Sequence, residues 1–327
     1  MNNENGNIFA SQFKQLGLSV QFVREEIGTQ VATYYYNLDN CKDYDKNFIK
    51  KCLEKMSAYN QMPITFVPTF LSHFAISIPL AQRQTLWLTS LPRGCVGKET
   101  NGHDFKFDFK KEVVHMLVAG STGTGKSVFL NSLIASLYLD ETDENFMLYL
   151  IDPKRVSFQH FKDLVNVKLI TDTNEAVYWF DRLIGIMEER YQEMEKGQKY
   201  FMPIYVIVDE LADLMLESKY TCEESLVRLA QKSRQANIHL ILCTQRPTIN
   251  VVSGLIKAQC DTRVCFKMSS IRDSITILDH KGAEELLGYG DCLIKTSRQP
   301  LEKRVQIAYI SDENLEKLRS NIQSCTH

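Results

Sequence analysis

The chain of 327 residues lacks any apolar run approaching the ~20 residues that a bilayer-spanning helix needs. Its polar beginning, MNNENGNIFASQFKQ, has none of the pattern of a secretory leader. The nine cysteines include no CxxC pair, and the nearest two, Cys260 and Cys265, lack metal-site spacing. A zinc or disulfide framework is therefore not expected, and the thiols read as reduced and mostly buried. Repeats and low-complexity linkers are missing too. A net charge of −2 gives no global sign of a polyanionic partner. What these absences leave is a cytoplasmic globular chain, 44% apolar and 24% charged, long enough to bury a substantial core.

Charge is sorted locally. Between Arg228 and Arg272 there are eight basic residues and one acidic residue, Asp261, while the preceding segment from Asp181 to Val227 is mainly acidic. Either one surface faces a polyanion, or an ordinary mixed surface looks sorted by chance.

The most specific feature is Gly120-Ser121-Thr122-Gly123-Thr124-Gly125-Lys126-Ser127, which satisfies the phosphate-loop pattern G-x-x-x-x-G-K-[ST] without a mismatch. Such a loop wraps a polyphosphate with backbone N–H groups, so glycines stand where side chains block approach. The context agrees. VVHMLVA (113–119) reads as a buried strand, and helical periodicity begins at Ser127 and Val128. A strand, loop and helix in that order put the positive end of the helix dipole on the phosphates. Lys126 then reaches the β/γ-phosphates and Ser127 ligates Mg²⁺. The bland alternative is a glycine-rich turn.

Downstream, FMLYLID (146–152), PIYVIVDE (203–210), IHLILCT (238–244) and TRVCFKM (262–268) read as buried strands alternating with helices, one over 174–196 and one around 223–235. The fold class expected is α/β with a mostly parallel sheet covered on both faces. Residues 1–105 read as a small α+β unit, with strands at 18–25, 29–38 and 73–80 and a helix over 46–60, joined near 95–108 to a second domain over 106–327.

The strand IYVIVDE delivers Asp209 and Glu210 to its C-terminal end, where open α/β sheets hold their ligands. Asp209 suits the metal and Glu210 the attacking water, unless the pair only caps a helix. Gln245, at the next strand end, contacts the γ-phosphate or merely turns the chain. Arg263 is a candidate arginine finger for a neighbouring subunit or a surface ion pair. Arg228, Lys232 and Gln235 share one helix face, as a stripe tracking a phosphate backbone or as solvated surface.

The blocks HMLVAGSTGTGKSV, LIDPK (150–154), VDELADLM (208–215), LAQKSRQANIHLILCTQRP (229–247), VVSGLIKAQCDTRVCF (251–266) and ILDHKGAEELLGYGDCL (277–293) resemble, in order, the FtsK/SpoIIIE DNA translocases of the FtsK–HerA group. VQFVREEIGTQV and QRQTLWLTSL (82–91) are similar to the smaller α-domain that precedes their motor core. The resemblance implies a RecA-like core and a homo-hexameric ring around double-stranded DNA, with ATP and Mg²⁺ at the subunit interfaces. On the matching positions Lys126, Ser127 and Asp209 hold phosphates and metal, Glu210 serves the water, Gln245 senses and Arg263 is the finger. Arg228, Lys232 and Lys257 are the DNA-facing candidates. Membrane helices, a long linker and a winged-helix module, which cell-division members carry, are not visible, so accessory proteins and a plasmid, phage or conjugative setting are expected. CDTR (260–263) places an acid where the family leads one to expect a neutral residue. A ring ATPase moving protein, of type VII secretion kind, is the main alternative; a nucleotide-gated platform is the other.

Overall fold

A computed structural model describes residues 4–38, 46–67, 73–140, 145–297 and 302–325. The N-terminal unit contains α1 (Glu4–Gln15), β1 (Val20–Ile27), β2 (Val31–Leu38), α2 (Lys46–Asn60), β3 (Thr65–Val67) and β4 (His73–Pro79). Its strands form an antiparallel sheet in the order β1-β2-β4-β3. Helix α1 falls in a stretch whose polarity hides it; Phe9 and Phe13, one turn apart, pack on Tyr34, Tyr36 and Phe74.

The larger unit holds β5 (Gly97–Glu99), β6 (Asp104–Phe105), β7 (Met116–Ala119), α3 (Lys126–Leu139), β8 (Met147–Ile151), β9 (Val167–Ile170), α4 (Thr173–Glu195) and β10 (Ile204–Val208). It continues with α5 (Leu211–Lys232), β11 (Ile238–Thr244), α6 (Gly254–Gln259), β12 (Thr262–Phe266), α7 (Ile271–Leu278), β13 (Asp291–Lys295), β14 (Lys303–Ile307) and α8 (Asp312–Cys325). Ten strands make one sheet in the order β6-β5-β14-β13-β12-β7-β11-β10-β8-β9. From β12 to β9 every pairing is parallel; from β13 to β6 every pairing is antiparallel.

The apolar runs explain the layering. Strands β7, β10 and β11 are buried along their whole length, so successive side chains feed two cores. On one face Met116, Val118 and Ile207 pack with Phe129 and Leu133 of α3. On the other, Leu117, Val206 and Val208 meet Phe180 and Leu183 of α4 and Leu226 and Leu229 of α5.

Strands β5 and β6 pair into the large sheet through β14, with Gly97 opposite Ile307. The small sheet ends at Pro79. Helix α5 begins at Leu211, well before 223, because the Glu210 side chain caps its first turn and Leu214, Met215 and Cys222 continue its buried stripe. It ends at Lys232, so Gln235 lies beyond the helix that was expected to carry it. Among the described residues no helix is long and apolar enough to cross a membrane.

Candidate nucleotide site

Strands β7, β11 and β10 are neighbours in the sheet, and their C-terminal ends bring the motif residues together. After β7 the loop turns into α3, whose N-terminus starts at Lys126. Gly125 sits at φ +117°, and a Cβ there would lie 2.6 Å from the backbone nitrogen of Gly290. Only glycine fits, on both counts. The turn at Gly290 is fastened to the loop, its N–H donating to the Thr124 carbonyl at 2.8 Å. Among the described residues the N–H groups of Gly123, Gly125, Lys126 and Ser127 make no backbone hydrogen bond. They are the donors an oxyanion requires at a helix N-terminus.

Lys126 is only 4% exposed and donates from Nζ to the Asp209 carbonyl at 2.5 Å and to Asp209 Oδ1 at 2.8 Å. Burial works against its ammonium, but Cys243 and the carboxylates of Asp209 and Glu210 outweigh that and raise its pKa. The other Asp209 oxygen accepts from the Ser157 hydroxyl at 2.9 Å. Glu210 is 3% exposed. Its Oε1 accepts from the Thr244 hydroxyl at 2.7 Å, its Oε2 from the Gln245 N–H at 3.1 Å, and Lys154 stands 3.9 Å away. The side-chain oxygen of Gln245 accepts from the Thr122 hydroxyl at 2.7 Å, joining the end of β11 to the phosphate loop.

A cleft of about 730 Å³ opens over this loop. Lys126, Ser127, Val128 and Gln245 line it; Asp209 and Glu210 are not among its lining residues and lie buried behind Lys126. The exposed Ser127 and the Asp209 carboxylate, which holds the neighbouring Lys126, are hard oxygen donors of the kind that suits Mg²⁺. Both carboxylate oxygens are already held by Lys126 and Ser157, so Asp209 is suited to reach the ion through water.

The remaining sequence candidates are placed differently. Arg263 is engaged within the chain: its guanidinium donates to the Ile277 carbonyl at 3.0 Å and to Asp279. Lys257 meets the same Asp279 at 2.7 Å. Burial pushes the Asp279 carboxyl up, the two cations outweigh it, and its pKa falls to about 2. Arg228, four residues after Glu224 in its own helix, pairs instead with Glu188 of α4 at 3.2 Å. Lys232 is exposed at the end of α5. The structure thus joins Lys257 to Arg263 but gives Arg228 a separate partner.

Sequence reasoning passed over Ser157, Lys154, Trp87, Tyr289 and Tyr309. The first two belong to the loop that follows β8, where LIDPK was the visible signal. The aromatic residues also line the cleft, and nothing local in the sequence connects them to the phosphate loop.

A sequence model of the FtsK/SpoIIIE family matches residues 80–199 and 195–249, which include the loop, Asp209, Glu210 and Gln245. The chain belongs to the FtsK/SpoIIIE family. Among its FtsK relatives, the DNA translocase FtsK of Streptococcus pneumoniae is 34% identical over 98% of this chain and 46% of its own length. That of Lactococcus lactis subsp. cremoris is 39% identical over 68% of this chain and 32% of its own length. The chain thus spans about half, or less, of the curated FtsK relatives it matches. Two solved structures share the fold. The pCW3 conjugation coupling protein TcpA, a monomer with ATPγS, has a TM-score of 0.68 at 21% identity, covering 99% of this chain and 100% of that one. The cytoplasmic domain of the Thermomonospora curvata type VII secretion ATPase EccC has a TM-score of 0.61 at 22% identity, covering 72% and 32%.

Proposed function

We propose that the chain binds ATP with Mg²⁺ and hydrolyses it to move along double-stranded DNA, working as a six-membered ring in a bacterial cytoplasm. The observation that carries the reading is the convergence of Lys126, Asp209, Glu210 and Gln245 at the ends of three adjacent parallel strands. Family membership, with relatives named DNA translocase FtsK, supports DNA as the track.

The arrangement suggests an order of events. A triphosphate entering the cleft offers Lys126 a stronger anion than Asp209, so the lysine turns outward and the carboxylate behind it is uncovered. Ser127 and Asp209 would hold Mg²⁺, which neutralises phosphate charge when bound. The loop N–H groups and Lys126 orient the γ-phosphate. Glu210, fixed by Thr244 and the Gln245 N–H, takes the proton of the attacking water. Gln245 and Thr122 together link the phosphate loop to β11, a route by which hydrolysis reaches the rest of the sheet. Arg228, Lys232 and Lys257 are the proposed DNA contacts, in a segment of eight bases and one acid.

The test is the steady-state ATPase rate with duplex DNA, single-stranded DNA or no nucleic acid, at low and high salt. The expected result is slow basal turnover, stimulated most by duplex and losing that stimulation as salt rises. Turnover indifferent to every DNA at low salt overturns the DNA reading and favours a protein substrate.

A further inference from the structure

We propose that Arg304 is a positioning residue for the phosphate loop: it holds the turn against which the loop rests, and it is itself held by the small N-terminal sheet. The proposal rests on the reading of the loop as an ATP site and adds to it what keeps that loop in shape. The turn is Gly288-Tyr289-Gly290, left-handed at all three residues, with φ of +81°, +54° and +91°. Such a backbone is unfavourable for a tyrosine and persists where its surroundings impose it. What the turn delivers is a contact with the loop, the Gly290 N–H donating to the Thr124 carbonyl at 2.8 Å. Thr124 carries the restraint onward, its hydroxyl donating to the Ser121 carbonyl at 2.7 Å.

Strand β14 imposes the turn. Ile307 donates its N–H to the Gly290 carbonyl and Gln306 its side-chain amide to the Tyr289 carbonyl, both at 2.8 Å. Asp291 closes the turn from within, accepting the Leu287 N–H on Oδ2 at 2.8 Å and donating its own N–H to the Gly288 carbonyl at 3.2 Å. That carboxylate is 3% exposed, and Arg304 is its counter-ion, with Nε 2.9 Å from Oδ1 and one terminal nitrogen 2.7 Å from Oδ2. A buried ion pair adds little net stability, because desolvation offsets the attraction; what a two-pronged pair fixes is geometry. The guanidinium has its own place set from the other side. Its remaining terminal nitrogen donates to the hydroxyls of Thr65 at 3.1 Å and Ser77 at 2.5 Å, which stand opposite each other on β3 and β4 and share a hydrogen bond of 2.7 Å. Three nitrogens in one plane thus connect small sheet, turn and loop, which the point charge of a lysine ammonium does not do. Neither Arg304 nor Asp291, Thr65 or Ser77 lines the cleft, so each acts on a ligand only through the turn and the loop.

The test uses two variants of the whole chain, one on each side of the guanidinium. Arg304→Lys keeps the charge and loses the fork; Thr65→Val with Ser77→Ala keeps the ion pair and removes the hydroxyls. The Gly290 amide, bonded to the loop, is the reporter in hydrogen exchange without ligand. In both variants it should exchange about tenfold faster, while amides of the buried strand β10 keep their natural rates. ATP and inorganic tripolyphosphate should lose affinity together, by about tenfold in Arg304→Lys and in the same direction in the hydroxyl variant, because the loop wraps the phosphates that both ligands share. A purely structural role would instead speed exchange at Gly290 and in β10 alike. If Arg304→Lys does not fold, the hydroxyl variant decides alone. Natural exchange at Gly290, or exchange that rises equally in β10, overturns the proposal, and so does undiminished affinity for both ligands. Failure of the natural chain to bind either ligand overturns the ATP reading, and exchange at Gly290 then decides the positioning role by itself.

Discussion

Lys126 occupies two positions in the proposed cycle, and the structure shows one of them. With its ammonium on Asp209, a buried cation and a buried anion satisfy each other, the arrangement that low dielectric demands when no phosphate is present. Glu210 is held more fully, by a hydroxyl and by backbone N–H groups that need only an acceptor oxygen. Glu210→Gln keeps the size, and an amide oxygen placed as Oε1 can still accept from the Thr244 hydroxyl and the Gln245 N–H, while the negative charge, the basicity and the second acceptor are removed. ATP affinity should be unchanged, while turnover should fall by at least about 100-fold, the usual contribution of a general base. Nucleotide binding by equilibrium fluorescence and single-turnover hydrolysis check the two halves, and undiminished turnover removes Glu210 from the mechanism. These residues were legible in the sequence because each sits in a short motif at a strand end. Trp87 and Tyr309 were not, since their meeting depends on how distant segments pair.

At the scale of elements, the loop from Asp152 to Phe158 handles both carboxylates. Asp152 is fully buried, and its Oδ2 accepts the Ser157 N–H at 2.8 Å. Ser157 in turn donates to Asp209, while Lys154 reaches Asp213 at 3.2 Å and stands near Glu210. A partner that orients a metal-side carboxylate typically carries tenfold or more of metal affinity. Ser157→Ala should therefore raise the Mg²⁺ concentration needed for tight ATP binding by about tenfold. Affinity measured with a chelator present should stay put. An equal loss in both conditions would mean that Ser157 only supports the loop. Helix α5 illustrates the limits of reading elements from sequence. Its acidic first half, LADLMLE, hid a buried stripe that the cap at Glu210 and packing on α4 make evident. Periodicity gave the central strands β7, β8, β10, β11 and β12, because buried parallel strands are unbroken apolar runs, whereas the short strands β5, β6 and β9 carry too few residues to show a period and β13 was not expected either.

For the molecule as a whole, the nucleotide cleft, the large sheet and the small unit are connected. Arg304 grips Asp291 with two hydrogen bonds of 2.9 and 2.7 Å, and its third nitrogen reaches Thr65 and Ser77 of the small sheet. Gln30 and Gln84 add a second joint at the edge of the cleft. A change at the phosphate loop thus has rigid routes into both units. The division into two units was visible in the sequence, but the edge strands that extend the large sheet and the strut at Arg304 were not, because both arise from pairing between segments far apart. The central claim is that hydrolysis drives movement on duplex DNA. Its most direct test is displacement of a third strand from a duplex carrying a triplex block, with ATP and Mg²⁺, across duplexes of increasing length. The account predicts ATP-dependent displacement that needs flanking duplex and vanishes in Glu210→Gln. Hydrolysis that proceeds in the presence of the duplex while the third strand stays in place would contradict it.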